Sequence, residues 1–419
     1  MNACLSKHLI LGCVCALYLP GIVFAAASDS SWERWFQNQI YQHPEIVAAK
    51  EKMNAELSVA DSSEQPLYNP ELETEFEREG DVNNYQVGIS QAIDWGDKRG
   101  IGKQVAKASR SAAEQTFELA VQQKMMDSLQ ALIQWHAANQ QAKLARNQEK
   151  QLATLLDLVK QRQGAGDLGQ VDAELTVLGL SQTLNTAAQA FAQLKKEEAH
   201  LRELLPDWSP QSAPIPERIL FINNNTNNNL SENIASITQW AEEHPAVRVA
   251  HGEWQVLQKA AQLASQETKA DPTFGIAGGK SDDENVLALT FTIPLNVRNN
   301  FNAQANAAHQ EALAAEAQYQ AIRRKKHYAI QAAYDVLQEY QQRAKRWQDL
   351  IAGLGDRSQN LLEKQWRSGD MSTTEYLLAL QQLTEGRAGG IELRAQFQLA
   401  RIEWLFQTGQ INAALQSKR

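Results

Sequence analysis

Four short anchors occur twice in this chain, in the same order and at a nearly constant spacing. His43-Pro44-Glu45 returns as His244-Pro245-Ala246, and Asn69-Pro70 returns as Asp271-Pro272. Ala92-Ile93-Asp94-Trp95 is answered by Thr292-Ile293-Pro294-Leu295, and a turn at Gly166-Asp167 by one at Gly369-Asp370. An offset of roughly 200 residues that persists over four anchors marks an internal repeat. Whatever the first half folds into, the second half must fold into as well. The organisation that follows is a leader at 1–25, a first repeat at 26–222 and a second at 223–419 with the same plan. The second opens on a polar, low-complexity run, Asn223 to Asn229, which reads as a linker.

Most of each repeat is helical. No proline occurs between Gly100 and Leu205, and the composition there is rich in Ala, Gln, Leu, Glu and Lys, most of them good helix formers. Leu144, Leu152, Leu155 and Val159 form one stripe. After a break, Leu168, Val171, Leu175 and Leu178 recur at steps of three and four, and Leu184, Ala187, Phe191 and Leu194 continue them. The stripe is narrow and its flanks polar, as in a coiled coil. The break is Gln163-Gly164-Ala165-Gly166-Asp167, whose glycines stop one helix while Asp167 is placed to cap the next. The expected element is a helical hairpin with arms of about 60 residues, about 90 Å long.

The helical pattern is interrupted at matching places by a period of two. Glu71, Glu73, Glu75 and Glu77 alternate with Leu72, Thr74 and Phe76. After a turn at Gly80 to Asn84, Tyr85, Val87, Ile89, Ile93 and Trp95 alternate with Gln86, Gly88, Ser90 and Ala92. In the second repeat Phe274, Ile276 and Gly278 precede a turn at Ser281 to Glu284, and Leu287, Leu289, Phe291 and Ile293 follow it. Each is a β-hairpin with one apolar and one polar face. The strands have about the 9–11 residues that cross a bilayer, with Tyr85 and Trp95 near the ends where interfacial aromatics belong. The alternative is a soluble hairpin packed on its own helices. Four strands cannot close a barrel, and bacterial barrels start at about eight. Strands that span a membrane therefore require several copies of the chain.

Composition removes several classes of function. Lys7, the apolar run from Leu9 to Phe24 and the small residues around Ala25 to Ala27 form a secretory leader. Cys4, Cys13 and Cys15 are the only cysteines, so the mature chain has no disulfide, thiolate metal site or cysteine nucleophile. Lys and Arg number 40 against 49 Asp and Glu, a balance that argues against nucleic acid as a partner. Phe274 to Ser281 resembles a phosphate loop but has Phe274 where the motif needs glycine. The eight histidines are scattered and suggest no metal site. No catalytic constellation can be placed, so neither an enzyme nor a cofactor is expected. Arg323-Arg324-Lys325-Lys326 reads as a solvated helix face, or less readily as a partner contact.

The leader, the His-Pro opening, the Asn-Pro-Glu-Leu-Glu strand start, the segment Gly88-Ile89-Ser90-Gln91-Ala92-Ile93-Asp94-Trp95-Gly96-Asp97-Lys98-Arg99, the long hairpin and the full repetition together resemble the TolC-like outer-membrane efflux proteins. The Ser-Gln to Gly-Asp-Lys-Arg exit from the second strand is similar to the CzcC-like, cobalt–zinc–cadmium resistance branch. The resemblance implies a mainly α protein with a membrane β part. Three chains share a 12-stranded transmembrane β-barrel, and long coiled-coil hairpins continue it as a periplasmic α-barrel. It implies a homotrimer in the outer membrane of a Gram-negative bacterium, in contact with its lipid. It also implies a periplasmic membrane-fusion adaptor and an inner-membrane resistance–nodulation–division (RND) pump as partners. The chain would then be a passive, gated conduit, with heavy-metal cations as cargo. Conduits for drug efflux or type I protein secretion share the fold. A periplasmic coiled-coil adaptor is the alternative of another class.

The resemblance also assigns sites. The tip motif reads Gly166-Asp167-Leu168-Gly169-Gln170-Val171-Asp172 and, in its second copy, Gly369-Asp370-Met371-Ser372-Thr373-Thr374-Glu375. Gly166, Asp167, Gly369 and Asp370 are the expected adaptor-docking turns, Asp167 and Asp370 being equally readable as plain helix caps. Asp172 and Glu375 are the expected pore constriction, although the second acidic position of the family falls on Leu378. If Glu71, Glu73, Glu75 and Glu77 face a lumen, they supply a negative field that concentrates cations. Otherwise they are a solubilising face.

Overall fold

The computed structural model describes residues 29–210, 234–282, 284–351 and 355–415. The leader at 1–25, the asparagine run and the boundary between residues 222 and 223 lie outside them. The first half runs α1 (Asp29–Gln42), α2 (Pro44–Ser63), β1 (Glu71–Glu79), β2 (Val82–Ala92), α3 (Lys98–Gly164) and α4 (Gln170–Leu204). The second runs α5 (Ile234–Glu243), α6 (Pro245–Glu267), β3 (Thr273–Ser281), β4 (Glu284–Thr292), α7 (Asn302–Ile351), α8 (Gly355–Ser368) and α9 (Thr373–Gln407), and α10 (Ile411–Leu415) follows.

The two His-Pro anchors are capping devices. His43 and His244 are the N-caps of α2 and α6, with proline in the first turn, where its missing N–H costs nothing. Each imidazole Nδ1 accepts a backbone N–H, from Glu45 at 3.3 Å and from Ala246 at 3.0 Å.

The hairpin arms differ from the expected pair of about 60 residues. The outgoing arm α3 has 67 residues and the returning arm α4 only 35, because Pro206 lies just beyond its end and cannot continue a helix. The shortfall is filled by another element. The ring of His43 lies 3.2 Å from the Glu203 carbonyl at the end of α4, so α2 stacks on α4 and the two complete one column. In the same way Pro245, which opens α6, adjoins Gly409 just past α9. Four columns result: α2 with α4, then α3, then α6 with α9, then α7 with α8.

The short helices α1, α5 and α10 pack against the columns at mid-height. Trp32, Phe36 and Ile40 of α1 share one core with Val121, Met125 and Leu129 of α3, Ile402 and Phe406 of α9 and Ile411 of α10. Trp240 and Ala241 of α5 share another with Ile330 and Leu337 of α7 and Trp404 of α9.

His244 is completely buried in this region, edge-on to Phe406. Burial, and the nearby ammonium of Lys326, push its pKa from 6.5 down to about 4. In the unfolded chain the ring protonates near 6.5, so between about 6.5 and 4 the unfolded state binds more protons and stability falls with pH. The expected result is a melting temperature that declines through this window, with a shallower decline in His244→Asn, where a side-chain cap is retained. An identical pH profile in the variant would show that His244 does not carry the effect.

Candidate functional site

Three regions gather the functional candidates: the sheet, the junction beneath it and the helical tip. The four strands form one antiparallel sheet in the order β1-β2-β3-β4. Among the described residues neither edge strand, β1 or β4, has a further partner, and the two hairpins join through β2 and β3. Register sorts the side chains by face. Leu72 stands opposite Ile89, Ile89 opposite Ile276, and Ile276 opposite Leu289. Phe76, Tyr85, Val87, Phe274, Leu287 and Phe291 share this parity. This apolar face is bare: Leu287 is 73% and Leu289 79% exposed. A water-facing sheet does not present such a continuous apolar surface.

The other face carries Glu71, Glu73, Glu75 and Glu77 opposite Ser90, Gly88, Gln86 and Asn84. All four glutamates therefore share one face, as the alternation implied. On the same face, beyond β2, β3 presents Gly275, Ala277 and Gly279 between Thr273 and Ser281 at its ends. A Cβ placed on Gly279 would lie 2.0 Å from the Tyr85 carbonyl, and one on Gly88 2.6 Å from the Ala277 Cβ. Glycines at such positions mark a close approach of neighbouring strands on this face. Ser90 donates to Glu73 at 2.6 Å.

The junction below the sheet holds a latch that sequence reasoning missed. The Asp94 carboxylate accepts the N–H groups of Lys98 and Arg99 at 2.9 and 2.8 Å and so starts α3. The buried Lys98 Nζ reaches into the second repeat, 2.8 Å from Asp271 and 2.8 Å from the Lys269 carbonyl. Asp271 also accepts from the Tyr68 hydroxyl and the Trp95 N–H. Burial alone would raise its pKa, but these donors hold it below the usual carboxylate range. Burial and the same carboxylate push Tyr68 up to about 12. The Gly-Asp-Lys-Arg segment therefore works here as a joint between the repeats. The available signal was the substitution of Asp271 for Asn69 at matched anchors, which puts a charge in one repeat only.

At the tip the two hairpin turns lie together. Leu152, Leu155 and Val159 of α3, Ala173 of α4, Trp366 of α8 and Tyr376 and Leu380 of α9 form one core. Arg162 lies over the Trp366 ring and donates to the Arg367 carbonyl. Gly166 and Gly369 adopt positive φ, +82° and +85°, the left-handed conformation that ends a helix. In each turn the glycine and aspartate N–H groups bond back into the outgoing helix.

Asp167 was expected to cap the following helix, and it does not. The N-cap of α4 is Gly169, and that of α9 is Ser372 rather than Asp370. Both aspartates close the preceding helix through their backbone N–H instead, and Asp370 accepts from Ser368. Asp172 and Glu375 stand in the first turns of α4 and α9, where negative charge is favoured. Glu375 forms a capping box with Ser372, whose N–H and hydroxyl hold its pKa below normal. Leu378 is 55% exposed.

One stripe read from the sequence turns the other way over part of its length. From the tip to Ala187, itself a member of that stripe, the residues of α4 that bury are small, Ala173, Thr176, Thr183 and Ala187, while Glu198, Leu201 and Leu204 bury near its end. Val171 and Leu178, placed in the packing stripe, are 68% and 65% exposed. Column α2/α4 is an edge of the four-column wall; among the described residues it packs chiefly on α3, with α4 also touching α9 near the tip. Among the described residues no cluster of His, Cys, Asp or Glu is set to hold a metal, and no helix is long and apolar enough to cross a membrane.

No protein-family model and no curated protein sequence matches this chain. Solved structures do match in fold. The outer-membrane channel OprN is 13% identical, with 91% of each chain covered and a TM-score of 0.72. The CmeC outer membrane channel of Campylobacter jejuni is 14% identical, covering 97% of this chain and 94% of that one, with a TM-score of 0.70. The MtrE outer membrane channel of Neisseria gonorrhoeae, solved in its open state, is 12% identical over 90% and 88%, with a TM-score of 0.70. Over nearly its whole length this chain has the fold of those channels.

Proposed function

We propose that three copies of this chain close into an outer-membrane conduit, a passive channel of a tripartite efflux system that also comprises a periplasmic adaptor and an inner-membrane pump. The observation that carries this reading is the sheet: two edges unpaired among the described residues, a bare apolar face and, opposite it, a face with a row of four glutamates. Open edges are not tolerated in lipid, so the sheet must close on further copies. Three copies supply twelve strands. The exposed Val171 and Leu178 of the edge helix α4 support lateral packing of the same copies. The long helices then extend the lumen into the periplasm. The belt of α1, α5 and α10 lies on its outer surface, because inside it would plug the tube.

The conduit itself performs no chemistry. Its walls select by field, and the row Glu71, Glu73, Glu75 and Glu77, repeated in three chains, favours cations. Heavy-metal cations remain the cargo proposed, on the sequence resemblance. The Gly-Asp-Lys-Arg segment supports that proposal less than it did, since Lys98 has a structural task. The paired turns at Gly166-Asp167 and Gly369-Asp370 are the proposed adaptor surface, and Asp172 and Glu375 the proposed constriction.

In planar bilayers the protein is expected to form cation-preferring pores. Replacing all four strand glutamates with glutamine should lower the ratio of cation to anion permeability. An unchanged ratio removes the selectivity role while leaving the conduit. Failure to form any pore removes the conduit. For cargo, a deletion strain that becomes sensitive to zinc, cobalt and cadmium, and recovers with the gene, supports metals. Sensitivity confined to drugs and detergents points to organic cargo instead.

A further inference from the structure

The internal repeat supplies a comparison within the molecule. Counted from the first residue of each helix, Leu119 to Lys124 in α3 occupy the positions of Arg323 to Tyr328 in α7. In α3 this stretch lies in the mid-height core: Val121, Gln122 and Lys124 are buried, and Leu119 and Ala120 pack against the core. In α7 the same stretch reads Arg-Arg-Lys-Lys-His-Tyr, and four of its side chains, Arg323, Arg324, His327 and Tyr328, line a groove. Thr238 and Ala241 of α5 form one wall, and Gln320, Arg323, Arg324, His327 and Tyr328 the other, around a volume of about 280 Å³. One repeat uses the position for packing, while the other keeps it open and cationic in a chain whose formal net charge is −9.

The charges are only partly spent within the protein. Arg323 pairs with Glu242 at 2.6 Å. Lys326 donates to Gln407 and lies over the Phe406 ring, with Glu403 nearby. Arg324 and Lys325 are exposed and have no hydrogen-bond or ion-pair partner among the described residues. Tyr328 is 63% exposed beside them, with its ring against His327. Arginine forks match carboxylates, and an exposed tyrosine ring is a platform for a sugar face or peptide.

We propose that this groove docks the cell-wall peptidoglycan through the carboxylates of its stem peptides. The proposal rests on the conduit reading, which places these helices in the periplasm. There the groove stands about 35 Å along α7 from its barrel end, beyond the reach of membrane headgroups and on the outer, belt-bearing face. Charge complementarity selects a carboxylate polymer, and the depth selects one that lies between the two membranes. Such a contact would fix the height and tilt of the long tube where it passes through the wall.

The test is co-sedimentation of the purified full chain, in detergent, with isolated peptidoglycan sacculi. Wild type is expected to sediment. Arg323→Glu with Arg324→Glu, which reverses both guanidiniums lining the groove, should lose about tenfold in binding, as the loss of two exposed charge contacts implies. The control Lys160→Glu with Lys196→Glu, with the same net charge, should bind as wild type. Sacculi whose carboxylates have been amidated should release all forms. Wild type that stays in solution, equal losses in both double variants, undiminished binding to amidated sacculi or equal binding to anionic lipid vesicles would each overturn the proposal. Pore formation in planar bilayers is measured on the same preparations, so failure of the conduit is read separately from failure of docking.

Discussion

Leu289→Arg is expected to abolish insertion of the protein into the outer membrane, while Glu75→Arg is expected to leave insertion intact. Both residues stand within the four-stranded sheet, on opposite faces. If the apolar face meets lipid, a guanidinium at Leu289 is placed in the hydrocarbon at a cost of about 2–4 kcal/mol per chain. Three copies would carry that cost together in one cooperative assembly. A guanidinium at Glu75 would point into water and alter only the field of the lumen. Heat-resistant oligomer in outer-membrane fractions is the readout. Equal loss in both variants would mean that the sheet is simply intolerant of arginine. Equal survival would mean that neither face is in lipid.

Asp271→Ala is expected to destabilise the protein by about 3 kcal/mol, because it strands the buried Lys98 ammonium without its counter-charge. Both side chains are almost inaccessible, at 8% and 5%. The loss also leaves the Tyr68 hydroxyl and the Trp95 N–H without an acceptor. Replacing the pair together, Lys98→Met with Asp271→Leu, is expected to recover most of the stability, since two apolar groups do not need the bridge. Unfolding followed by tryptophan fluorescence in detergent measures both. If the double variant is as unstable as the single, the ion pair contributes specifically. If Asp271→Ala is neutral, the latch is not a joint at all.

The sequence was a good guide wherever a rule acts locally. The alternation of Glu71 to Arg78 places the four glutamates on one face, and register confirms their common side. The glycines at 166 and 369 mark the hairpin turns because positive φ is nearly reserved for that residue. Failures came where neighbours compete for one place or where the answer depends on a distant partner. Asp167 and Asp370 look like caps, but Gly169 and Ser372 lie nearer the helix starts and take that place. The leucine stripe of α4 was taken for its packing face. Ala187 of that stripe does bury, but Ala173, Thr176 and Thr183 take the rest of the packing face there, and Val171 and Leu178 stay exposed. The short return arm was not legible either, because the piece that completes its column, α2, lies more than a hundred residues away in sequence. Lys98 read as part of a motif and revealed its task only when Asp271 of the other repeat was brought beside it.

Closure of the sheet between copies can be tested with paired cysteines in its two free edges, Thr74→Cys in β1 with Leu287→Cys, Leu289→Cys or Phe291→Cys in β4. The native cysteines all precede residue 16, in the segment expected to be a leader. In one chain the two edges are three strand spacings apart, about 14 Å, beyond the roughly 7 Å between Cα atoms that a disulfide allows. A bond between them can therefore form only between chains. The prediction is that one of the three pairings, oxidised in intact cells, yields a covalent three-chain species on a denaturing gel. Single chains alone at every register, or a ladder that ends at two, would contradict a barrel closed by three copies.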